Sequence, residues 1–199
     1  GPEKATEALR VALAMGADAG VHLCDPKFES FNELFYAYVI AQAVKKDPKG
    51  FDLILCGKYN IDLDAGAVGP ALAEYLDMPH VGAVTGLEFT ADGKRFTARR
   101  RIEGAEEVVE CDLPALLSID KGLVEPRYPS LPNLMKAKKK PLTVLTSKDI
   151  PGEDAAEAGT QLIAITPPPP KPACKLIEGE PEQMAKELVR LLREEAKVI

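Results

Sequence analysis

Apolar and polar positions along this chain repeat with two periods, and the switches between them lay out an order of elements. Ala8, Leu9, Val11, Ala12 and Met15 recur at helical spacing and predict a first helix over 5–14 with a small-residue face. Gly16 to Gly20 is a turn, and residues 21–24 form a short apolar strand. Phe31, Leu34, Phe35, Tyr38, Val39 and Ala41 repeat helically over 31–44, with Ser30 or Asn32 placed to cap the helix. Its aromatic positions read as core residues facing a sheet. Asp47-Pro48-Lys49-Gly50 ends that element. Leu53-Ile54-Leu55-Cys56 has no alternation, which predicts a strand covered on both faces, as in a parallel sheet. A further helix is expected from Ala65 or Gly66 to Leu76, before Pro79. Helix, strand, helix, strand, helix predicts an α/β doubly wound, mostly parallel sheet.

After Pro79 the pattern changes. Residues 81–90, 94–102 and 106–111 read as an antiparallel ribbon with turns at Ala91-Asp92-Gly93 and Glu103-Gly104-Ala105. Thr97, Arg99 and Arg101 share one side of it, and Phe96, Ala98, Arg100 and Ile102 the other, with acids on the adjoining strand available as partners. Residues 113–119 are an apolar strand ending at Asp120. The stretch 123–142 holds Pro126, Pro129 and Pro132, which predicts a stiff loop with Leu131, Leu134 and Met135 at a surface. Lys136, Lys138, Lys139 and Lys140 cluster there; a solvated helix end, a docking site for a partner or anionic group, and a nucleic-acid patch are the readings open to such a cluster. A strand over 142–145, a polar loop over 149–159 and another strand over 161–165 follow. Pro167 to Pro170 make a rigid spacer. A final helix over 182–195 sets Met184, Leu188, Leu191 and Leu192 on one face, so it is expected to pack on its own domain or on a partner. The expected division is an α/β domain over 1–145 and a C-terminal arm over 146–199.

Composition narrows the function. The chain has 199 residues, 46% apolar and 28% charged, with a net charge of -6, which argues against a general nucleic-acid binder. No stretch reads as a transmembrane span or a signal peptide. Gly1-Pro2 leads directly into a helix, whereas a doubly wound domain begins on a strand, so the expectation is a chain lacking its N-terminal part. The four cysteines, Cys24, Cys56, Cys111 and Cys174, have no metal-ligand spacing and read as buried free thiols of a reducing compartment. His22 and His80 are the only histidines, and neither is expected to serve as a base or metal ligand. No nucleophile is paired with a base, so no catalytic residue and no metal site are assigned.

The stretch 52–76 organises the rest. Strand, Gly57-Lys58 turn, a loop with Asp62 and Asp64, and a helix N-terminus together place backbone N–H groups at the carboxyl edge of a sheet, where an anion can be held. Gly57, Gly66 and Gly69 match neither the dinucleotide fingerprint nor the P-loop, and a plain structural crossover has the same spacing. The two acids either cap the helix, face away from a phosphate, or hold a ribose.

Three segments carry a family resemblance: ALAMGADAGVHL (12–23), CGKYNIDLDAGAVGPALAEYL (56–76) and EPRYPSLPNLMKAKKKPL (125–142). They resemble the beta subunit of electron transfer flavoprotein, and the likeness runs from Gly1 to Ile199. It implies a heterodimer with an alpha subunit that holds FAD, and AMP in the α/β domain of the beta subunit. In bifurcating relatives a second FAD takes the AMP place. Electrons would arrive from acyl-CoA or related dehydrogenases and leave to a quinone oxidoreductase, in the cytoplasm or the mitochondrial matrix. A non-redox AMP- or ATP-binding module is the alternative outside the redox class.

The resemblance also assigns residues. It implies a nucleotide site at Cys56, Gly57, Asn60, Leu63, Gly66, Ala67, Val68 and Gly69. It implies a partner-recognition loop carrying Glu125, Tyr128, Pro129, Leu131, Pro132, Met135, Lys136 and Lys139, with Leu131 entering a dehydrogenase pocket. The tail is similar to an arm that reaches over the alpha subunit. The nucleotide loop departs from the family pattern: Ala67 stands where the family has a glutamine, Ala65 where a hydroxyl is frequent, Leu63 where the residue is small or acidic, and Tyr59-Asn60 in place of Gln-Ala. Side-chain support for a phosphate is reduced, and the backbone N–H groups of Ala67 and Val68 are expected to remain available.

Overall fold

The computed structural model describes residues 1–29, 32–61, 64–150, 163–171 and 173–199. They fall into two compact units, 1–162 and 163–199. The first unit runs α1 (Ala5–Met15), β1 (Gly20–Leu23), α2 (Glu33–Lys45), β2 (Leu53–Gly57), α3 (Val68–Leu76), β3 (His80–Phe89), β4 (Arg95–Ile102), β5 (Ala105–Asp112), β6 (Ala115–Ile119), α4 (Leu131–Ala137) and β7 (Leu142–Leu145).

Five strands form one sheet in the order β2-β6-β3-β4-β5, and β1 pairs with β7 as a separate parallel pair. β2, β6 and β3 run parallel, while β3-β4-β5 is an antiparallel meander. This is the mostly parallel α/β sheet with an antiparallel ribbon that the sequence predicts. The ribbon also has the expected alternation: Phe96 and Ala98 turn inward, and Arg100 meets Glu107 at 3.2 Å while Arg95 meets Asp112 at 2.7 Å.

β2 differs from expectation. It lies at the sheet's edge, and Leu55 is 56% exposed, so the strand is not covered on both faces. The strand with that environment is β6, where Ala115, Leu116 and Leu117 are fully buried. Both runs are apolar without alternation, and only their places in the sheet separate them. β6 divides two cores. Leu116 packs with Ala37 and Ala41 of α2 and Leu72 and Ala73 of α3. Ala115 and Leu117 pack on the other side with Val81, Val84, Phe96 and Ala98. Burial of that apolar area is the main source of stability for the layers.

Helix starts are set by local chemistry. Asn32 caps α2, its side-chain oxygen accepting from the Leu34 N–H at 2.8 Å. α3 starts at Val68, later than predicted, and no side chain of its own N-cap residue caps it. Asp64 does not cap it either; its backbone sits in the left-handed region, φ 48°. The Ala67 N–H instead donates to Glu33 Oε2 of α2 at 2.8 Å. That corrects the expectation of a free donor at Ala67: the first turn of α2 supplies a carboxylate that answers the start of α3.

The segment expected as a stiff loop contains a helix. Ser130 accepts from the Asn133 N–H at 3.4 Å and Pro132 occupies the first turn of α4. A proline there costs no intrahelical hydrogen bond, so it starts the helix rather than breaking it. α4 packs on α1 through Leu13, Ala14, Ala137 and Leu134. Arg10 donates to the carbonyls of Ala137 and Lys140, both at 2.8 Å, and Lys140 Nζ donates to the carbonyls of Leu13 at 3.0 Å and Ala17 at 2.6 Å.

The cysteines are free, but Cys174 is exposed and the other three are half-buried, so the expectation of buried thiols holds only in part. In the second unit, α5 (Pro181–Arg190) continues into a π-helical turn, Leu191–Glu195. Residues 163–165 carry no strand, contrary to expectation. Ser30, Phe31, Asp62, Leu63, the loop after Ile150 and the first half of the strand expected over 161–165 lie outside the described residues.

Candidate functional site

A cleft of about 560 Å³ opens beside α3, on the face of the sheet that this helix covers. That volume suits a small organic ligand. Lys58 and Tyr59 reach it from the end of β2, Asp64 and Gly66 from the following loop, and Ser118 from β6. His80, Gly82 and Ala83 of β3 and Arg100 of β4 complete one wall. A register shift between Val81 and Val84, with Ala83 in the left-handed region at φ 56°, bends β3 along this wall.

The floor depends on one glycine. A Cβ on Gly69 would lie 2.2 Å from Ser118 Oγ and 3.2 Å from Cys56 Sγ, so only glycine lets α3 seat this close to the sheet. Ser118 Oγ lies 2.8 Å from His80 Nε2 and 3.6 Å from Cys56 Sγ. Burial, and then the nearby Arg100 guanidinium, hold the His80 imidazole below its usual range.

Charges around the cleft are paired. Lys58 Nζ is 3.6 Å from Asp120 Oδ2, and Arg101 Nη1 is 3.3 Å from the same oxygen. The Lys121 N–H donates to Asp120 Oδ1 at 2.8 Å. That bond first, then Lys58 and Arg101, keep the Asp120 carboxyl below the ordinary carboxylate range. Arg100 Nε donates to the Gly82 carbonyl at 3.2 Å. The Lys58 ammonium stands 5.2 Å from the centre of the Tyr59 ring.

The residues marked from the sequence are distributed unevenly. Gly66 lines the cleft. Cys56 and Gly69 lie behind its floor, and Gly57 ends β2. Asn60 accepts the Asp64 N–H through its carbonyl at 3.1 Å. Ala67 is bound to Glu33, Val68 packs between α2 and α3, and Leu63 is outside the described residues. Sequence reasoning set His80 aside and did not mark Ser118, Arg100 or Asp120. The signal for them is spatial: the pairings of β6 with β2 and β3, and of β3 with β4, bring them to the end of β2, and no local motif encodes those pairings.

The other marked set lies on and before α4. Tyr128 is 97% exposed, Leu131 79% and Met135 71%. Glu125, Pro132, Lys136 and Lys139 are also exposed, and Pro129 is half-buried. A groove of about 760 Å³ runs between α1 and α4 beside Leu131, Leu134 and Met135. No metal-binding group of histidine, cysteine or acidic residues occurs among the described residues, and none of their helices is long and apolar enough to cross a membrane.

Sheet order, bent strand and polar cleft define an α/β protein with a nucleotide-binding-like fold. Comparison with known proteins narrows this. The Electron transfer flavoprotein domain matches residues 1–150. The electron transfer flavoprotein subunit beta of Bacillus subtilis is 46% identical over 206 residues, which cover 100% of this chain and 77% of that protein. The human subunit beta is 36% identical over 188 residues, 94% of this chain and 71% of its own length. The subunit beta of Mycobacterium tuberculosis H37Rv is 36% identical over 186 residues, 92% of this chain and 69% of its own. The chain belongs to the electron transfer flavoprotein beta-subunit family, whose function is electron transfer.

Proposed function

We propose that this chain is the beta half of a heterodimeric electron carrier. An alpha subunit holds the FAD that carries electrons from acyl-CoA or related dehydrogenases to a quinone oxidoreductase, in the cytoplasm or the mitochondrial matrix. This chain contributes an adenine-nucleotide site, filled by AMP, and a docking surface. The match to the Bacillus subtilis subunit beta over the whole of this chain carries the reading.

The chain's own residues would bind and position. The cleft beside α3 takes the nucleotide, with Gly66 in its lining and Cys56 and Gly69 behind its floor; the proposed site also takes in Gly57, Asn60, Ala67, Val68 and Leu63, the last outside the described residues. Lys58 and Arg100 offer cationic donors to a phosphate, and the Tyr59 ring offers a face for a base. The flavin supplies the electron chemistry, and the protein supplies geometry.

Docking would centre on Leu131. It is an exposed apolar side chain at the start of a capped helix, with Tyr128, Pro129, Pro132 and Met135 around it and Glu125, Lys136 and Lys139 toward the edge. Charged edges steer encounter more than they add affinity. Residues 1–145 would form the nucleotide domain and residues 146–199 the arm. The arm's helix would lay Met184 and Leu188, both well exposed, on the alpha subunit.

The test is the small-molecule content of the complex co-expressed with its alpha-type subunit, released by acid and identified by mass. One FAD and one AMP per heterodimer are expected. Two FAD and no AMP would convert the cleft into a second redox site of the bifurcating kind. No complex and no flavin would overturn the reading and leave a non-redox nucleotide-binding module.

A further inference from the structure

Each of the cleft's cations already has an acidic partner, which reduces what it lends a phosphate. Around it stand Lys58 at the end of β2, Arg100 and Arg101 on β4, Asp64 in the loop, Glu107 on β5 and Asp120 after β6. Lys58 and Arg101 share Asp120 and Arg100 meets Glu107, so among the described residues each of these bases has an acid beside it. The start of α3 adds no free donor at Ala67, because Glu33 of α2 already accepts that N–H. The Cys56 thiol lies behind Ser118, 3.6 Å from its hydroxyl. Among the described groups of the cleft, His80 is the one whose ordinary range lies nearest neutrality, and burial and Arg100 hold it below that range.

We propose that His80 contacts the ligand in this cleft and that its proton sets the cleft's affinity for a phosphoryl anion. The inference rests on the nucleotide reading of the cleft given above. Geometry supplies the device. Ser118 Oγ, 2.8 Å from Nε2, fixes the ring at the cleft wall. With Nε2 unprotonated, the Ser118 hydroxyl donates to it, and its hydrogen is turned away from a ligand. In the imidazolium both ring nitrogens donate. Ser118 then accepts from Nε2, and its own hydrogen is free to turn to an anion. Starting from the Nδ1–H tautomer, one proton thus adds a positive charge and releases a second donor.

Burial and Arg100 favour the neutral ring when the cleft is empty. An anion beside the ring favours the charged form. Ligand binding and proton uptake are therefore linked. Affinity rises as pH falls through the ligand-bound value and levels off below the free value.

The experiment is calorimetric titration of AMP into the full 199-residue chain at pH 7.5 and 5.5, beside His80→Gln and Ser118→Ala. The phosphate of AMP gains a proton over this range, but it does so equally for every variant, so the ratio of affinities isolates His80. The native-to-H80Q ratio is expected to rise about fivefold between pH 7.5 and 5.5, the yield of one added charge near a screened phosphate. Ser118→Ala should lose part of that rise. Proton NMR gives a second readout that needs no variant to fold. There are two histidines, and the ring resonance of His80 should titrate at higher pH once AMP is added. A flat ratio, or a His80 titration unmoved by bound AMP, overturns the role of His80 and leaves the nucleotide site standing. No AMP binding by the native chain at either pH overturns both.

Discussion

Gly69→Ala tests the packing on which the cleft is built. The added methyl would lie 2.2 Å from Ser118 Oγ, well inside contact distance, and 3.2 Å from Cys56 Sγ. Two responses are open to the fold. α3 can lift from the sheet, an overpacking response that costs about 1–3 kcal/mol. Alternatively Ser118 can rotate and give up its bond to His80, which leaves a hydroxyl that is only 4% exposed without its partner, at about 1–3 kcal/mol. Alanine recovers up to about 1 kcal/mol of helix propensity. The net expectation is a loss of about 1–2 kcal/mol, or a fall in Tm of roughly 2–8 °C for a chain of this size. Thermal and urea unfolding of Gly69→Ala, Ser118→Ala and the double variant give the coupling directly. Removing the Ser118 hydroxyl also removes the nearest obstacle, so the second substitution should cost much less in the Gly69→Ala background than alone. A Gly69→Ala chain as stable as the native one, with additive effects in the double variant, would refute the close contact between α3 and β6.

Leu131→Ala should leave stability within about 0.5 kcal/mol, because the side chain is largely exposed. The same change should slow electron transfer from the dehydrogenase at limiting carrier while FAD content stays the same; an unchanged rate removes the anchor. Arg10→Ala should lower stability by about 1–2 kcal/mol, since the last carbonyl of α4 and that of Lys140 in the following turn lose a charged donor. It should also raise hydrogen exchange in α4 before that in α2, and uniform exchange would sink the assignment. Asp120 has a folded value below its unfolded one, so its contribution is present above about pH 4 and is lost as pH falls through the lowered folded value. Asp120→Asn should flatten that part of the acid unfolding curve and cost about 1–2 kcal/mol at pH 7; a curve parallel to the native one would contradict the linkage.

Local periodicity carried most of the element order, because helices and strands in this chain bury one consistent face. It could not place β2 and β6. Both are apolar runs, and only hydrogen bonding to neighbours makes one an edge and the other a centre. The start of α3 was misjudged for a similar reason, since its partner Glu33 lies 34 residues away. Prolines misled at α4. Three of them suggested a loop, but Pro132 occupies the one turn of a helix that tolerates proline. At the site, the loop after β2 was legible as a glycine-punctuated turn at a sheet edge. His80 was not, because its meaning comes from Ser118, 38 residues on, through the pairing of β3 with β6. Lys140 looked like one more solvated cation in a basic run. Its ammonium is instead turned back onto the end of α1.

That inward lysine and its counterpart Arg10 have a consequence for protein engineering. Arg10 of α1 holds the carbonyl end of α4 and the turn after it, and Lys140 in that turn holds the carbonyl end of α1 and the turn after it, so the two form one reciprocal clasp made from segments more than 120 residues apart. The unit that could be transplanted between relatives is therefore discontinuous. A chimera that exchanges only 123–142 inherits the exposed Leu131 but sets it on a foreign base. One that carries residues 5–17 as well moves the surface together with its support. Partner preference in such chimeras should follow the paired exchange more closely than the loop alone.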